Sequence, residues 1–114
     1  MEPIQGDALR GHLENLVLAA LEQGAAHGFE VLRRLTDAGS GALRLREGSL
    51  YPALYRLEKG GLIASEWEDE SAPRRGPRRR VYRLTPRGEG QLAAGREEWR
   101  RFVRVVGSIL GAPA

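Results

Sequence analysis

Between Arg74 and Arg83 the chain carries six arginines (Arg74, Arg75, Arg78, Arg79, Arg80 and Arg83) and no acid. Guanidinium stays charged at any physiological pH and binds phosphate through a fork of N–H donors, so this run is a candidate phosphate-contacting stripe. An acidic cluster, Glu66 to Glu70, comes just before it. A second polar group lies upstream, in the segment from Glu47 to Gly61. There Leu50, Ala53, Leu54 and Leu57 fall at i, i+3, i+4 and i+7, one apolar stripe of a helix. With that stripe turned inward, Pro52, Tyr55, Arg56 and Lys59 point outward, flanked by Ser49 and Tyr51. Hydroxyls, aromatics and cations on one face are what a recognition helix presents to the major groove. Arg56 suits a guanine edge or a phosphate, and Lys59 suits a phosphate. Ser49 and Tyr51 can donate to phosphate oxygens beside the helix start. The plainer alternative is that these residues only solvate an outer face, as most charged loops do.

Other chemistries lack their parts. The chain has no cysteine, so disulfides, thiolate metal sites and cysteine nucleophiles are absent, as suits a reducing cytoplasm. Its two histidines, His12 and His27, fall in no ligand spacing, and no metal or cofactor is expected. Both read as structural residues making hydrogen bonds near helix ends. No nucleophile–base pair or carboxylate–histidine set is apparent, so an enzyme is not expected. The net charge of +3 does not by itself imply nucleic acid; the distribution of charge does. No apolar run approaches the ~20 residues needed to cross a bilayer, and Met1 to Arg10 lacks the order of a secretory signal. The expected setting is cytoplasmic, without membrane contact.

The 114 residues make one domain's worth of chain. Leu9, Leu13, Leu16, Val17, Ala20 and Leu21 predict a first helix from about Asp7 to Gln23, with Asp7 as cap and Gly24 as stop. A second is predicted from Gly28 to Ala38, with Val31, Leu32 and Leu35 buried, ended by Gly39-Ser40-Gly41. Ala42 to Leu45 could form a short strand. The third helix follows, with Pro52 tolerable only in its first turn and Gly60-Gly61 closing it. Leu62 to Glu68 and Val81 to Leu84 read as two strands, joined by the Pro- and Gly-rich Ala72 to Arg78 as a basic hairpin tip. Arg74, Arg75, Arg78 and Arg79 are the residues expected to touch DNA there. Thr85 and Pro86 start a last helix reaching about Leu110.

Helix, helix, short strand, helix, strand, basic loop, strand, helix is the order of a mainly α fold with a small β-hairpin wing. It is a winged helix-turn-helix over 1–84 with a C-terminal helix over 85–114, forming one compact unit. Leu92, Trp99, Phe102, Val103, Val106 and Ile109 give that last helix more apolar surface than one small core can cover, which predicts a dimer.

Several segments resemble the PadR family of transcriptional regulators. They include Leu9-Arg10-Gly11-His12-Leu13 and His27-Gly28-Phe29-Glu30, where the family often has Tyr at the Phe29 position. The strongest match is Glu47-Gly48-Ser49-Leu50-Tyr51-Pro52-Ala53-Leu54, with Arg56-Leu57-Glu58 and Gly61-Leu62-Ile63 after it. Arg79-Arg80-Val81-Tyr82-Arg83-Leu84-Thr85 and Gly88 continue the pattern over nearly the whole chain. The single short C-terminal helix looks like the compact branch of the family. The resemblance implies a homodimer on a dyad-symmetric operator in double-stranded DNA, usually repressing. It implies that the last helix packs against the partner's first helix, bringing Leu13 and Leu16 into the interface. It also makes Trp99 a candidate contact for a small aromatic or planar effector, beside its plainer role as an interface residue. The competing reading is a winged-helix protein-interaction module without an operator of its own.

Overall fold

The computed structural model describes residues 4, 6–9, 11–71, 73 and 76–111. Where one opening helix is predicted over 7–23, a 3-10 turn at Gly6–Leu9 precedes a shorter α1, Leu13–Leu21. Gly11 separates them at φ 85, a left-handed conformation through which a right-handed helix does not run. The capping role read for the Asp7 side chain falls outside the described residues. His12 holds the N-cap position of α1 without a side-chain cap bond.

The second helix, α2, spans Gly28–Ala38 as predicted. Its N-cap is His27, whose Nδ1 accepts from the Glu30 amide at 3.2 Å. Ala26–His27 form a two-residue strand, β1, too short to leave a period in the sequence. The strand read at 42–45 is reduced to a single parallel bridge between Ile4 and Leu43.

The third helix, α3, covers Glu47–Lys59. It begins far enough upstream that Pro52 is its sixth residue, not part of its first turn. The missing N–H therefore costs the hydrogen bond to the Gly48 carbonyl, at an exposed position open to water. The wing is β2, Ile63–Trp67, and β3, Arg80–Leu84, in antiparallel register with Ser65 opposite Tyr82 and Trp67 opposite Arg80. β1 pairs with the other edge of β3, giving a three-stranded sheet in the order β1-β3-β2.

Val17, Leu18, Leu21, Val31, Leu35, Leu50, Leu54, Leu57, Ile63, Tyr82 and Leu92 make one core between the helices and the sheet. The last helix, α4, spans Pro86–Leu110. Thr85 caps it: its Oγ1 accepts from the Gly88 amide at 3.0 Å and donates to the Gly61 carbonyl at 2.7 Å. Gly88 passes so close to the Leu62 carbonyl that a Cβ there would collide with its oxygen. Further along the helix Gly95 lies against the Asn15 side chain, and Arg96 holds Glu22 through two bonds of 2.9 and 2.8 Å. That pairing keeps the Glu22 carboxyl below the usual carboxylate range. The first half of α4 is thus docked on α1. The second half leaves Trp99, Phe102, Val103, Val105, Ile109 and Leu110 exposed.

Candidate nucleic-acid interface

The apolar stripe of α3 is fully inside, with Leu50, Ala53, Leu54 and Leu57 at most 1% exposed. Burial of four consecutive stripe positions fixes the rotation of the helix about its axis. Ser49, Tyr51, Pro52, Tyr55, Arg56 and Lys59 are accordingly all exposed. Each of the two tyrosines and the arginine has a definite setting. Tyr55 stands free at 66% exposure. Tyr51 lies across Gly28 at the start of α2, where an added Cβ would come within 2.7–2.9 Å of its ring and hydroxyl. Arg56 donates from Nε to Glu14 Oε1 on α1 at 2.8 Å, and its two terminal nitrogens have no partner among the described residues. Lys59 has no ion-pair partner among the described residues.

Arg74 and Arg75 lie outside the described residues. Arg78 pairs with Glu70 at 3.2 Å, and Arg79 sits 3.6 Å from Glu68, whose carboxylate also accepts from the Arg79 amide at 3.0 Å. Arg78 and Arg80 both stand over the Trp67 ring, 5.6 and 5.2 Å from its centroid, in cation–π range. Arg80 also donates to Ser65 Oγ at 2.8 Å, and Ser65 in turn donates to Glu58 on α3. The hairpin register thereby lays the acidic cluster alongside the arginine run, two features that are separate in the sequence. Exposed pairs of this kind contribute little and exchange readily, so the guanidiniums remain available to phosphate. The Arg80–Ser65–Glu58 chain has the further effect of tying the wing base to α3. Arg83 is exposed and has no ion-pair partner among the described residues.

His27, Gly28, Phe29, Tyr51, Arg79, Arg80 and Tyr82 wall a small cleft between α2, α3 and the wing. Burial, then the nearby Arg79 charge, lowers the His27 pKa, which suits a ring nitrogen that must accept the Glu30 amide. Sequence periodicity could not point to Tyr82 or Glu14. Glu14 acts across the fold and belongs to no polar run, and Tyr82 stands inside the arginine run as an uncharged strand residue.

On the proposed dimer face, Leu92 needs correction. It is 3% exposed within its own protomer, because Gly88 and Gly95 bring this turn of α4 down onto the core. It has no surface left for a partner. Leu13 and Leu16 are half-buried against the same core, and Val106 is half-exposed. Trp99, Phe102, Val103 and Ile109 are open, joined by Val105 and Leu110. Trp99 receives the His12 ring edge-on, with centroids 5.5 Å apart at 80°, and stacks near Phe102 at 5.8 Å. His12 therefore braces an aromatic group and makes no side-chain hydrogen bond at a helix end among the described residues.

Among the described residues no group of three or more His, Cys, Asp and Glu could hold a metal ion. Nor is any helix there long and apolar enough to cross a membrane.

Comparison with known proteins gives a consistent picture. The profile of the Transcriptional regulator PadR-like family matches residues 17–94. A transcriptional regulator of Mycobacterium tuberculosis is 34% identical over 93% of this chain and 89% of its own length. Among solved structures, a transcriptional regulator from Clostridium thermocellum superposes with a TM-score of 0.81 at 30% identity, covering 90% of this chain and 97% of that one. A PadR family transcription regulator from Clostridium difficile gives 0.77 at 31% identity, over 88% of this chain and 99% of that one.

Proposed function

The chain belongs to the PadR-like family of DNA-binding transcriptional regulators, and from that membership we propose that it represses transcription as a homodimer on a dyad-symmetric operator. The family role is regulatory, not catalytic. Residues 1–84 would form the winged DNA-binding part and 85–114 the dimerisation helix of one compact unit, working in the cytoplasm where the DNA is.

The observation that carries this reading is the joining of α3 to the wing. Tyr51 on the helix and Arg79 and Arg80 on the wing wall one cleft, so the helix face and the guanidiniums meet the same duplex. Ser49, Tyr51, Pro52, Tyr55, Arg56 and Lys59 would enter the major groove or its phosphate margins, and Arg78 and Arg79 would follow the adjoining backbone. Arg74 and Arg75 join them at the wing tip on sequence grounds alone.

Support for the dimer is the open apolar face of distal α4. Ile109 and Leu110, 77% and 79% exposed at the end of α4, have nothing to pack against among the described residues. Two recognition helices held at a fixed separation read half-sites one helical turn apart or a multiple of it. Trp99, half-exposed beside this face, would stack on a planar effector that shifts the separation of the two helices.

The test is an anisotropy titration against the gene's own upstream intergenic DNA, with scrambled competitor, at several salt concentrations. A dimer contacting about ten phosphates should lose affinity with a log–log slope near −9. Equal, weak binding to both DNAs would favour a winged-helix module that contacts protein.

A further inference from the structure

Tyr82 is an unusual member of the core. It is only 8% exposed, yet its hydroxyl makes no hydrogen bond to any protein group among the described residues. Buried tyrosine hydroxyls ordinarily find a partner. Nor is the hydroxyl sealed, since no buried side-chain nitrogen or oxygen among the described residues is left unpaired. Tyr82 helps to wall the cleft, and its hydroxyl lies within electrostatic range of Tyr51, which walls the same cleft.

Apart from His27, whose Nδ1 accepts from the Glu30 amide, the polar side chains around that cleft are donors. The Tyr51 hydroxyl likewise has no protein partner among the described residues and rests over Gly28. The Phe29 amide opens the first turn of α2 with no intrahelical acceptor, and the helix dipole favours negative charge there, whereas the Gly28 amide faces the Arg80 carbonyl in the β1–β3 ladder. The third amide of that turn, Glu30, is already taken by His27. Arg79 supplies a half-exposed guanidinium held only 3.6 Å from Glu68, and Arg80 stands behind it. Among the described residues no acid lines the cleft. Gly28 has no side chain, which lets the Tyr51 ring and hydroxyl lie against the start of α2, and burial keeps the Tyr82 hydroxyl protonated and able to donate.

We propose that this cleft is a seat for one phosphate group, filled in the DNA complex by a backbone phosphodiester, with Tyr82 as its buried donor. The proposal rests on the DNA-binding reading above. A phosphate bridging the α2 N-terminus, Tyr51 of α3 and Arg79 of the wing would lock these three elements in one register on the duplex. Such a contact adds affinity without reading sequence.

Two readouts on the intact protein test it. In the first, 15N-labelled protein is titrated with upstream duplex, and separately with inorganic phosphate against chloride at matched ionic strength. The Phe29 amide resonance should move with the duplex. Movement with inorganic phosphate alone, while the duplex binds elsewhere, would overturn the backbone assignment and leave a free-anion site. In the second, Tyr82→Phe should weaken binding to operator and scrambled duplex alike, by roughly 3- to 10-fold, with the thermal midpoint unchanged or raised. Arg79→Gln should weaken both DNAs in the same uniform way.

Tight duplex binding by Tyr82→Phe, with the Phe29 amide still, would sink the seat while leaving the regulator reading intact. Amide shifts with phosphate in a protein that binds no duplex at all would do the reverse.

Discussion

The guanidinium of Arg56, on the outward face of α3, is held at 2.8 Å by Glu14 of α1, 42 residues away in the chain. The pair engages Nε and leaves the terminal donors without a partner among the described residues, as a bidentate base contact needs. Both partners are about half-exposed, so the bond itself adds little stability.

Arg56→Ala should therefore cost about 1–3 kcal/mol of specific binding and relax discrimination at one base pair per half-site, with dimer and melting temperature preserved. Glu14→Gln should leave overall affinity similar or higher but reduce the ratio of operator to scrambled binding. Competition titrations on both duplexes measure this. Loss of folding in Arg56→Ala would refute the outward assignment.

Lys59 and Arg79 are read as phosphate-binding cations. Replacing either with Gln should weaken all sequences about equally and make the salt slope shallower by about 1 for each phosphate no longer neutralised. A sequence-selective weakening in Lys59→Gln would instead move that residue to a base edge.

The distal face of α4 can be tested without disturbing the core. Ile109→Glu, at a position 77% exposed, should leave the helical spectrum intact and shift sedimentation toward monomer. Trp99→Ala should weaken the dimer or abolish any response to planar ligands. A dimer indifferent to both substitutions would place the interface elsewhere.

Two glycines of α4 should respond oppositely to alanine. At Gly88 a Cβ collides with the Leu62 backbone carbonyl, which cannot swing aside, so Gly88→Ala should cost about 1–3 kcal/mol. At Gly90 a Cβ would meet nothing, and Gly90→Ala should stabilise the helix by about 0.5–1 kcal/mol. Thermal melts of the pair at one concentration decide between them.

His27 gives the fold an acid-side sensitivity. Its folded pKa lies below the ordinary 6.5, so the unfolded chain binds the proton more readily. The stabilisation is complete above about pH 6.5 and is lost as pH falls from there through the folded value. Protonation also removes the acceptor that caps α2. His27→Asn keeps a capping oxygen that does not titrate, and its melting temperature should fall less than that of the parent protein between about pH 6.5 and 5. Identical pH profiles would assign the acid loss to other groups.

Much of the architecture is local and was legible as such. The α2 boundaries, the leucine stripe of α3, the Thr85–Pro86 start of α4 and the hairpin all follow from periodicity, caps and turn residues within a few positions of one another. Family membership was legible for the same reason, since its motifs are short runs. Errors arose where a single backbone angle or a distant neighbour outweighed a good local pattern. Gly11 breaks a continuous apolar row by adopting positive φ, and α3 begins early enough to carry Pro52 in its second turn. Leu92 reads as surplus apolar surface until Gly88 and Gly95 press its turn against the core.

The charge distribution was decided in space. In one dimension an acidic cluster and an arginine run are separate features. Antiparallel pairing folds one beside the other, so Glu68 meets Arg79, and Trp67 lies under Arg78 and Arg80. The cleft joining Tyr51, Gly28 and Tyr82 arises in the same way, from three elements with no periodic relation to one another. Sequence alone determined the long helices, the wing strands and which faces are apolar, because those depend on neighbours along the chain. Only tertiary structure decided which charges remain free and which donors converge, because those depend on pairings between residues tens of positions apart.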